Sequence, residues 1–427
     1  MELKPGYKQT EVGVIPEEWE VKALCEIAPI ATGNTPPTSV SAHYGNEHLF
    51  VSPADLGEPK YILDTEKKLS KKGFGISRRF PSGSILFTCI GSTIGKCGIA
   101  STDLTSNQQI NAIFPTTGVC NEFLYYELSR LAPRIKALAS EQAVPIINKT
   151  QFGATAITLP SLPEQRAIAG ALGDVDALLG ALTRLIAKKR DLKQAAMQQL
   201  LTGSQRLPGF SGEWEVKRFD ELFRFLNTAN NPRADLSEFG DVGYIHYGDI
   251  HTSTATFLDC AAQALPLIAK NQVANIPLLQ DGDLVMADAS EDYEGIGKCM
   301  EIRNATGRRI VAGLHTFLLR GNRNLLADGF KGYLQFIPSV KAALVRFATG
   351  ISVYGISKNN VRSIEVLLPS IEEQTAIAAV LSDMDAELAA LEARLDKTRA
   401  LNQGMMQELL TGKTRLPVRA GLKPAPT

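Results

Sequence analysis

Gly91-Ser92-Thr93-Ile94-Gly95-Lys96-Cys97 has the residue types of a phosphate-binding loop. It is one residue too short for G-x-x-x-x-G-K-[ST], and Cys97 stands where a magnesium-binding hydroxyl is required. The related stretch Tyr293-Glu294-Gly295-Ile296-Gly297-Lys298-Cys299 lacks the first glycine. Both read instead as a strand–turn element, and nucleotide binding is rejected. Glu20-Val21-Lys22 and Glu215-Val216-Lys217 are each half of a nuclease motif, with no upstream acid placed to complete a metal site. An adenine methyltransferase needs an Asn/Asp-Pro-Pro-aromatic run to hold a flipped base, and neither Thr35-Pro36-Pro37 nor Asn231-Pro232-Arg233 supplies one. No glycine-rich loop suggests S-adenosylmethionine binding, and there is no G-x-S-x-G elbow. The cysteines (Cys25, Cys89, Cys97, Cys120, Cys260, Cys299) form no C-x-x-C pair. The histidines (His43, His48, His246, His251, His315) have no metal-ligand spacing. The expectation is a chain with no metal site and no catalysis of its own, its cysteines reduced core thiols of a cytosolic protein.

What remains is binding chemistry. With 45 basic and 45 acidic residues the formal net charge is zero, so any polyanion must be met by local clusters or by a partner. Lys67, Lys68, Lys71, Lys72, Arg78 and Arg79 form one such cluster, interleaved with Phe74 and Phe80. Arg303, Arg308 and Arg309 form another, and Arg320 and Arg323 a third. On loops these side chains could track phosphates; as a solvated face they would do nothing.

The elements that position them come as a repeat. Glu18-Trp19-Glu20-Val21-Lys22 returns as Glu213-Trp214-Glu215-Val216-Lys217, and Ile94-Gly95-Lys96-Cys97 as Ile296-Gly297-Lys298-Cys299. Residues 159–208 match 368–417 without a gap, with 28 of 50 positions identical. Between these segments the two copies barely align. One part of the repeat is held and the other has diverged.

The held part reads as a long helix in each copy. Ser161 before Glu164, and Ser370 before Glu373, fit capping boxes. Ile168, Leu172, Val175, Leu179, Leu182 and Ile186 then follow the 4-3 spacing of a coiled-coil seam, as do Ile377, Leu381, Met384, Leu388, Leu391 and Leu395. The seam loosens at Lys189 and Thr398 and is expected to resume through Leu192 and Leu200, and through Leu401 and Leu409. Gly203 and Gly412 are the stops. A helix of about 38 residues is roughly 57 Å long, too long to bury its seam inside one small module. The two are therefore expected to pack on each other, antiparallel, with one module at each end.

The modules carry strand-like runs such as 84–88 and 111–114, turns at 32–37 and 81–83, and a helix near 122–139. The fold class is α+β: two modules with curved, mostly antiparallel sheets, alternating with two long helices in a pseudo-twofold repeat. The expected boundaries are 1–160 and 206–368 for the modules and 161–205 and 369–413 for the helices, with a disordered tail at 414–427. No apolar leader and no apolar run of 18 residues is present, so neither a signal peptide nor a membrane span is expected, and the protein is placed in the cytoplasm.

Gly13-Val14-Ile15-Pro16-Glu17-Glu18-Trp19 opens the chain. Leu159-Pro160-Ser161-Leu162-Pro163-Glu164-Gln165 and Leu368-Pro369-Ser370-Ile371-Glu372-Glu373-Gln374 open the helices, and Leu200-Leu201-Thr202-Gly203 and Leu409-Leu410-Thr411-Gly412 close them. Together these resemble the specificity subunit of type I restriction–modification enzymes, over nearly the whole chain. The resemblance implies that each module is a target recognition domain reading one half of a split double-stranded DNA site. It implies that the helices are a spacer docking two methyltransferase subunits, with restriction and motor subunits joining in phage defence. S-adenosylmethionine, ATP and magnesium would belong to those partners. Recognition residues are not shared across the family, so the candidates for DNA contact come from this sequence alone. They are Asn34, Thr35, Lys67, Lys68, Lys71, Lys72, Arg78, Arg79 and Lys96 in the first module, and Asn230, Asn231, His246, Lys298 and Arg308 in the second. The seam residues Ile168, Leu172, Val175, Leu179, Leu182, Ile377, Leu381, Met384, Leu388 and Leu391 are the expected helix-pair and subunit interface. Two alternatives stand beside this reading: the specificity subunit of a related fused or defence-type methylation system, and a coiled-coil scaffold that reads no sequence.

Overall fold

The computed structural model describes residues 5–139, 143–293, 295–351 and 353–417. Among them are two long helices, Leu162–Leu200 and Ile371–Leu409, of 39 residues each. Both stop as the sequence requires. Gly203 and Gly412 take φ of 70°, a backbone that glycine holds without steric cost. A Cβ on Gly203 would press on the Trp214 ring, and one on Gly412 would collide with Pro16. The stop thus also seats the tryptophan-bearing segment of each copy.

The chain divides into two compact units, Met1–Thr183 with Arg394–Thr427, and Arg184–Ala393. Each unit holds one module and half of each long helix. In the first unit Asn402 donates its side-chain amide to Asp176 at 3.2 Å. In the second, Lys189 meets Glu387 at 2.6 Å, and Lys193 meets Asp385. Partner numbers fall on one helix as they rise on the other, so the helices run antiparallel in both units.

Ile168, Leu172, Leu182 and Ile186 are buried, as are Ile377, Leu381, Leu388 and Leu395, while Val175, Leu179, Met384 and Leu391 are half-buried. Beyond that the seam departs from expectation. Leu192 and Leu401 are exposed, at 47% and 57%. The inward face keeps its 4-3 phase and passes instead through Lys189, Lys193 and Ala196 to the buried Leu200 on one helix, and through Thr398, Asn402 and Met405 to the buried Leu409 on the other. The apolar leucines were misleading because phase, not hydrophobicity, decides which side chain faces the partner helix. Polar seam positions of this kind fix orientation and register.

The capping-box glutamates also differ from expectation. Ser370 Oγ does accept from the Glu373 N–H, at 3.4 Å. The carboxylates, however, are turned elsewhere: Glu373 to Arg206, and Glu164 to Arg415 and Trp19. Residues 414–417, expected in the disordered tail, are anchored. Arg415 holds Glu164, Leu416 packs beside Trp19 and Leu410, and Thr414 donates to Glu408 at 3.0 Å. The rest of the tail lies outside the described residues, as does Glu294.

The modules share one topology. In the first, five strands lie in the order Ile30–Thr32, Ile110–Ile113, Ile85–Thr88, Cys97–Ala100, Tyr61–Ile62. In the second the order is Phe223–Leu226, Thr316–Gly321, Leu284–Ala287, Cys299–Arg303, Phe257–Asp259. All neighbours are antiparallel except the last pair of each sheet. The registers correspond: Ile85 opposes Ile99 and Ile113 as Leu284 opposes Glu301 and Leu319. A second sheet repeats as well. His48–Val51 lies parallel to Thr105–Ser106, and Val242–Ile245 lies parallel to Ile310–Ala312. One core of the first module sits between the main sheet and the helix Asn121–Lys136, and another lies between its sheets around Phe80 and Leu86. Cys89, Cys97, Cys260 and Cys299 are buried in such cores, whereas Cys25 is exposed and Cys120 half-buried, contrary to the core assignment made for all six. Burial pushes the Cys97 and Cys260 thiols up to about 11. No helix among the described residues is long and apolar enough to cross a membrane.

Candidate nucleic-acid interface

Strand register puts some of the candidate residues at one end of each main sheet. Thr32, Asn111, Phe87 and Cys97 lie side by side across the first sheet. The loops after Thr32, between Thr88 and Cys97, and before Ile110 therefore leave from the same end. In the second module that end holds the loops after Leu226, between Ala287 and Cys299, and before Thr316.

Polar side chains are locked to one another at the first module's loop end. Asn34 Oδ1 accepts from the Arg78 backbone N–H at 2.7 Å, and the Arg78 guanidinium donates to the Thr32 carbonyl at 2.7 Å. Thr35 Oγ1 donates to Gln108 Oε1 at 2.6 Å. Asn107 Nδ2 donates to Gln109 Oε1, and the Gln109 N–H donates back to Asn107 Oδ1, both at 3.0 Å. Gly33 lets the first loop lie against this one, since a Cβ there would collide with Ser106 and Asn107. Lys96 is exposed at the turn of the same end. So Asn34, Thr35, Arg78 and Lys96 are brought together, and they are joined by Gln108 and Gln109, which motif reasoning passed over.

The rest of the basic run lies on other elements. Lys67 and Lys68 sit on the strand Lys67–Leu69 of the second sheet, where Lys68 is paired with Asp64 at 2.7 Å. Lys71 and Lys72 open the short helix Lys71–Ile76, capped by Ser70. Arg79 lies over the Phe74 ring at 4.8 Å, and Phe74 stacks on His48 at 4.0 Å.

At the second module's loop end, Asn230 is exposed and Asn231 donates to Asp235 at 3.2 Å. Tyr244 donates to the Asn231 carbonyl and accepts from the Leu314 N–H, both at 2.8 Å, bracing two loops. Lys298 donates to the His251 carbonyl at 2.7 Å. His246 is turned inward: its Nδ1 accepts from the Gly248 N–H at 3.3 Å and caps the helix Tyr247–Thr252. Burial holds its pKa below the ordinary histidine value, favouring the neutral ring that can accept this bond. Arg308 is exposed in the turn between Cys299–Arg303 and Ile310–Ala312, at the opposite end of the sheet. Motif reasoning missed His315, whose Nδ1 lies 3.2 Å from Asp288 Oδ1 with Tyr247 edge-on at 5.6 Å. It also missed the Tyr293–Tyr354 ring pair, 3.9 Å between centroids.

The half-motifs at Glu20 and Glu215 are closed on themselves. Glu20 pairs with Lys22 at 2.5 Å and Glu215 with Lys217 at 2.8 Å. Among the described residues no group of three acidic, histidine or cysteine side chains is placed to hold a metal ion.

Each module is fixed to the helices by the same set of contacts. The buried Gln165 accepts from the Cys120 N–H at 2.9 Å, and Gln374 accepts from the Ala327 N–H at 3.0 Å. Tyr126 donates to Asp176 at 2.5 Å, and Tyr333 donates to Asp385 at 2.7 Å. Arg415 and Arg206, which follow the helix stops, clamp Glu164 and Glu373 at the start of the opposite helix. The Glu-Gln pair that opens each helix is therefore a joint. Glutamate holds the other helix's exit and glutamine holds the module.

These features define a duplicated sheet module whose polar loop end is carried on an antiparallel helix pair. Residues 16–189 match the type I restriction modification DNA specificity domain family. The putative MjaX specificity subunit of Methanocaldococcus jannaschii is 23% identical, over 96% of this chain and 97% of its own length. The MjaIX specificity subunit from the same organism is 27% identical over 54% of this chain and 57% of its own. The HindI specificity subunit of Haemophilus influenzae is 32% identical over 34% of this chain and 33% of its own. In fold, the type I restriction–modification S subunit from M. genitalium superposes with a TM-score of 0.58 at 15% identity, covering 96% of this chain and 98% of that one. Residues 16–189 thus carry a type I restriction modification DNA specificity domain, and along nearly its whole length the chain is similar to type I restriction enzyme specificity subunits.

Proposed function

We propose that each module reads one half of a bipartite, asymmetric double-stranded DNA site through its loop end, and that the helix pair sets the unread gap between the halves. The observation that carries this reading is the contrast within the repeat. Strand registers and helix joints are kept, while the side chains at the loop ends differ in kind. Two different readers on one frame specify a non-palindromic site. Asn34, Thr35, Arg78 and Lys96 in one module and Asn230, Asn231 and Lys298 in the other supply base-edge and phosphate contacts. The like outer faces of the two helices dock two methyltransferase subunits. Those subunits bind S-adenosylmethionine, and restriction–motor subunits bind ATP and magnesium. The assembly works in the cytoplasm as a defence against phage DNA, and the partners supply the positive charge that this neutral chain lacks.

Footprinting of the subunit assembled with its modification subunits tests the reading. Two short protected patches flanking an unprotected gap are expected; a coiled-coil scaffold gives no sequence-specific protection. Inserting one heptad into both helices adds about 10 Å, which at roughly 3.4 Å per base pair widens the gap by about three pairs. An unchanged gap would rule out the spacer role.

A further inference from the structure

One backbone slot at the loop end is the same in both modules but differently equipped. Register aligns Ile110 with Thr316, since each opposes the last residue of the central strand, Thr88 or Ala287. The preceding residues, Gln109 and His315, are therefore equivalent. Their carbonyls confirm it: Gln109 O accepts from the Cys89 N–H at 2.8 Å, and His315 O from the Asp288 N–H at 3.1 Å. Neither side chain belongs to the helix joints or the cores.

Each is held by a neighbour that fixes what its free edge offers. Gln109 Oε1 is taken by Asn107 Nδ2 at 3.0 Å, which leaves the amide NH2 as a donor. His315 has Nδ1 against Asp288 Oδ1 at 3.2 Å. The carboxylate is placed to accept the Nδ1 proton, and in the ring tautomer that donates there Nε2 is left as an acceptor. The imidazole is half-exposed, at 52%. His315 also takes φ of 56°, and the non-glycine residues with positive φ among those described are His315 and Asn304. That backbone is unfavourable for a residue with a side chain and persists where the surroundings impose it.

We infer that this slot is a specificity-determining position in both modules: Gln109 donates to acceptor edges in the major groove, and His315 accepts from an exocyclic amino group. The base classes follow from groove chemistry. Guanine O6 and N7, thymine O4 and adenine N7 are acceptors, whereas adenine N6 and cytosine N4 are donors. This rests on the proposal that the modules read DNA.

The test maps methylation sites made in cells by the full complex carrying wild-type chain, H315G or Q109E. Glycine tolerates the 315 backbone, so H315G removes the ring without strain. In Q109E the Asn107 amide still finds an oxygen, and the free edge turns from donor to acceptor. H315G is expected to relax one position of a single half-site by about ten-fold or more and leave the other half intact. Q109E is expected to relax or exchange one position in the opposite half-site. The untouched half reports that each variant is folded and assembled. Unchanged half-sites in both variants, or relaxation in the same half-site for both, would overturn the slot assignment. A wild-type complex whose sites are not bipartite would instead overturn the underlying reading.

Discussion

The two modules have the same sheet and opposite solutions to one core position. In the first, Ile99 on the fourth strand and Leu124 on the following helix belong to one apolar core. In the second, the same places hold Glu301 and Lys331, both about 1% exposed and 3.5 Å apart. Glu301 also accepts from the N–H groups of Gly329 and Gly332, and Lys331 pairs with Asp328. A buried ion pair is tolerated only when its remaining hydrogen-bond capacity is filled, and it often stabilises no more than a well-packed apolar pair. The fold is thus specified by register and by satisfied backbone rather than by particular core residues. Side chains that neither pack nor join the helices are free to diverge, and these are the loop ends.

Breaking this contrast has its largest effect in Lys331→Leu. That change strands Glu301 without its cation, and the second unit should lose about 3–5 kcal/mol in urea or thermal unfolding. The double change E301I/K331L rebuilds the first module's pair and should return stability to within about 1–2 kcal/mol of the wild type. It should also alter the pH profile. Burial raises the Glu301 pKa above 4.5, against the opposing pull of Lys331. A raised carboxyl contributes stability that is full below its unfolded pKa and is lost as pH climbs through the folded value. The wild-type unit should therefore show that loss on leaving the acid range, and the double variant should not.

The joints come next. Arg206→Ala and Arg415→Ala each leave a nearly buried glutamate, Glu373 or Glu164, and should cost about 2–3 kcal/mol. Glu164 keeps a bond from Trp19 Nε1 at 3.2 Å, so R415A should be the milder of the two. Equal losses would mean that the tryptophan contributes nothing. Gly203→Ala and Gly412→Ala force a strained backbone against an aromatic or proline ring and should cost about 1–2 kcal/mol each. The smallest effect belongs to the seam. Lys193→Asn gives the second unit the amide that the first has at Asn402. Because Lys193 and Asp385 are partly exposed, the loss should be within about 1 kcal/mol.

Much of this was legible in sequence. Helix extents, the glycine stops and the first turns of the seam follow from spacing. The shared module topology did not, because sheet pairing constrains only alternation and volume. Ile99 and Glu301 can occupy one place without leaving a trace in an alignment. Leu192 and Leu401 misled because their hydrophobicity pointed one way and helical phase the other. Glu164 and Glu373 sit at cap spacing, and nothing local announces that their partners lie 251 and 167 residues away. At the loop end, Asn34 and Arg78 stood out by type and turn context. Gln109 and His315 did not, since only the folded register makes them equivalent.

Methylation-site sequencing of cells carrying the complete system, before and after exchange of residues 14–160 for the corresponding module of another specificity subunit, tests the account most directly. It predicts one interrupted, asymmetric site in which the exchange rewrites a single half and leaves the gap and the other half unchanged. A continuous or palindromic site, or an exchange that rewrites both halves, would contradict it.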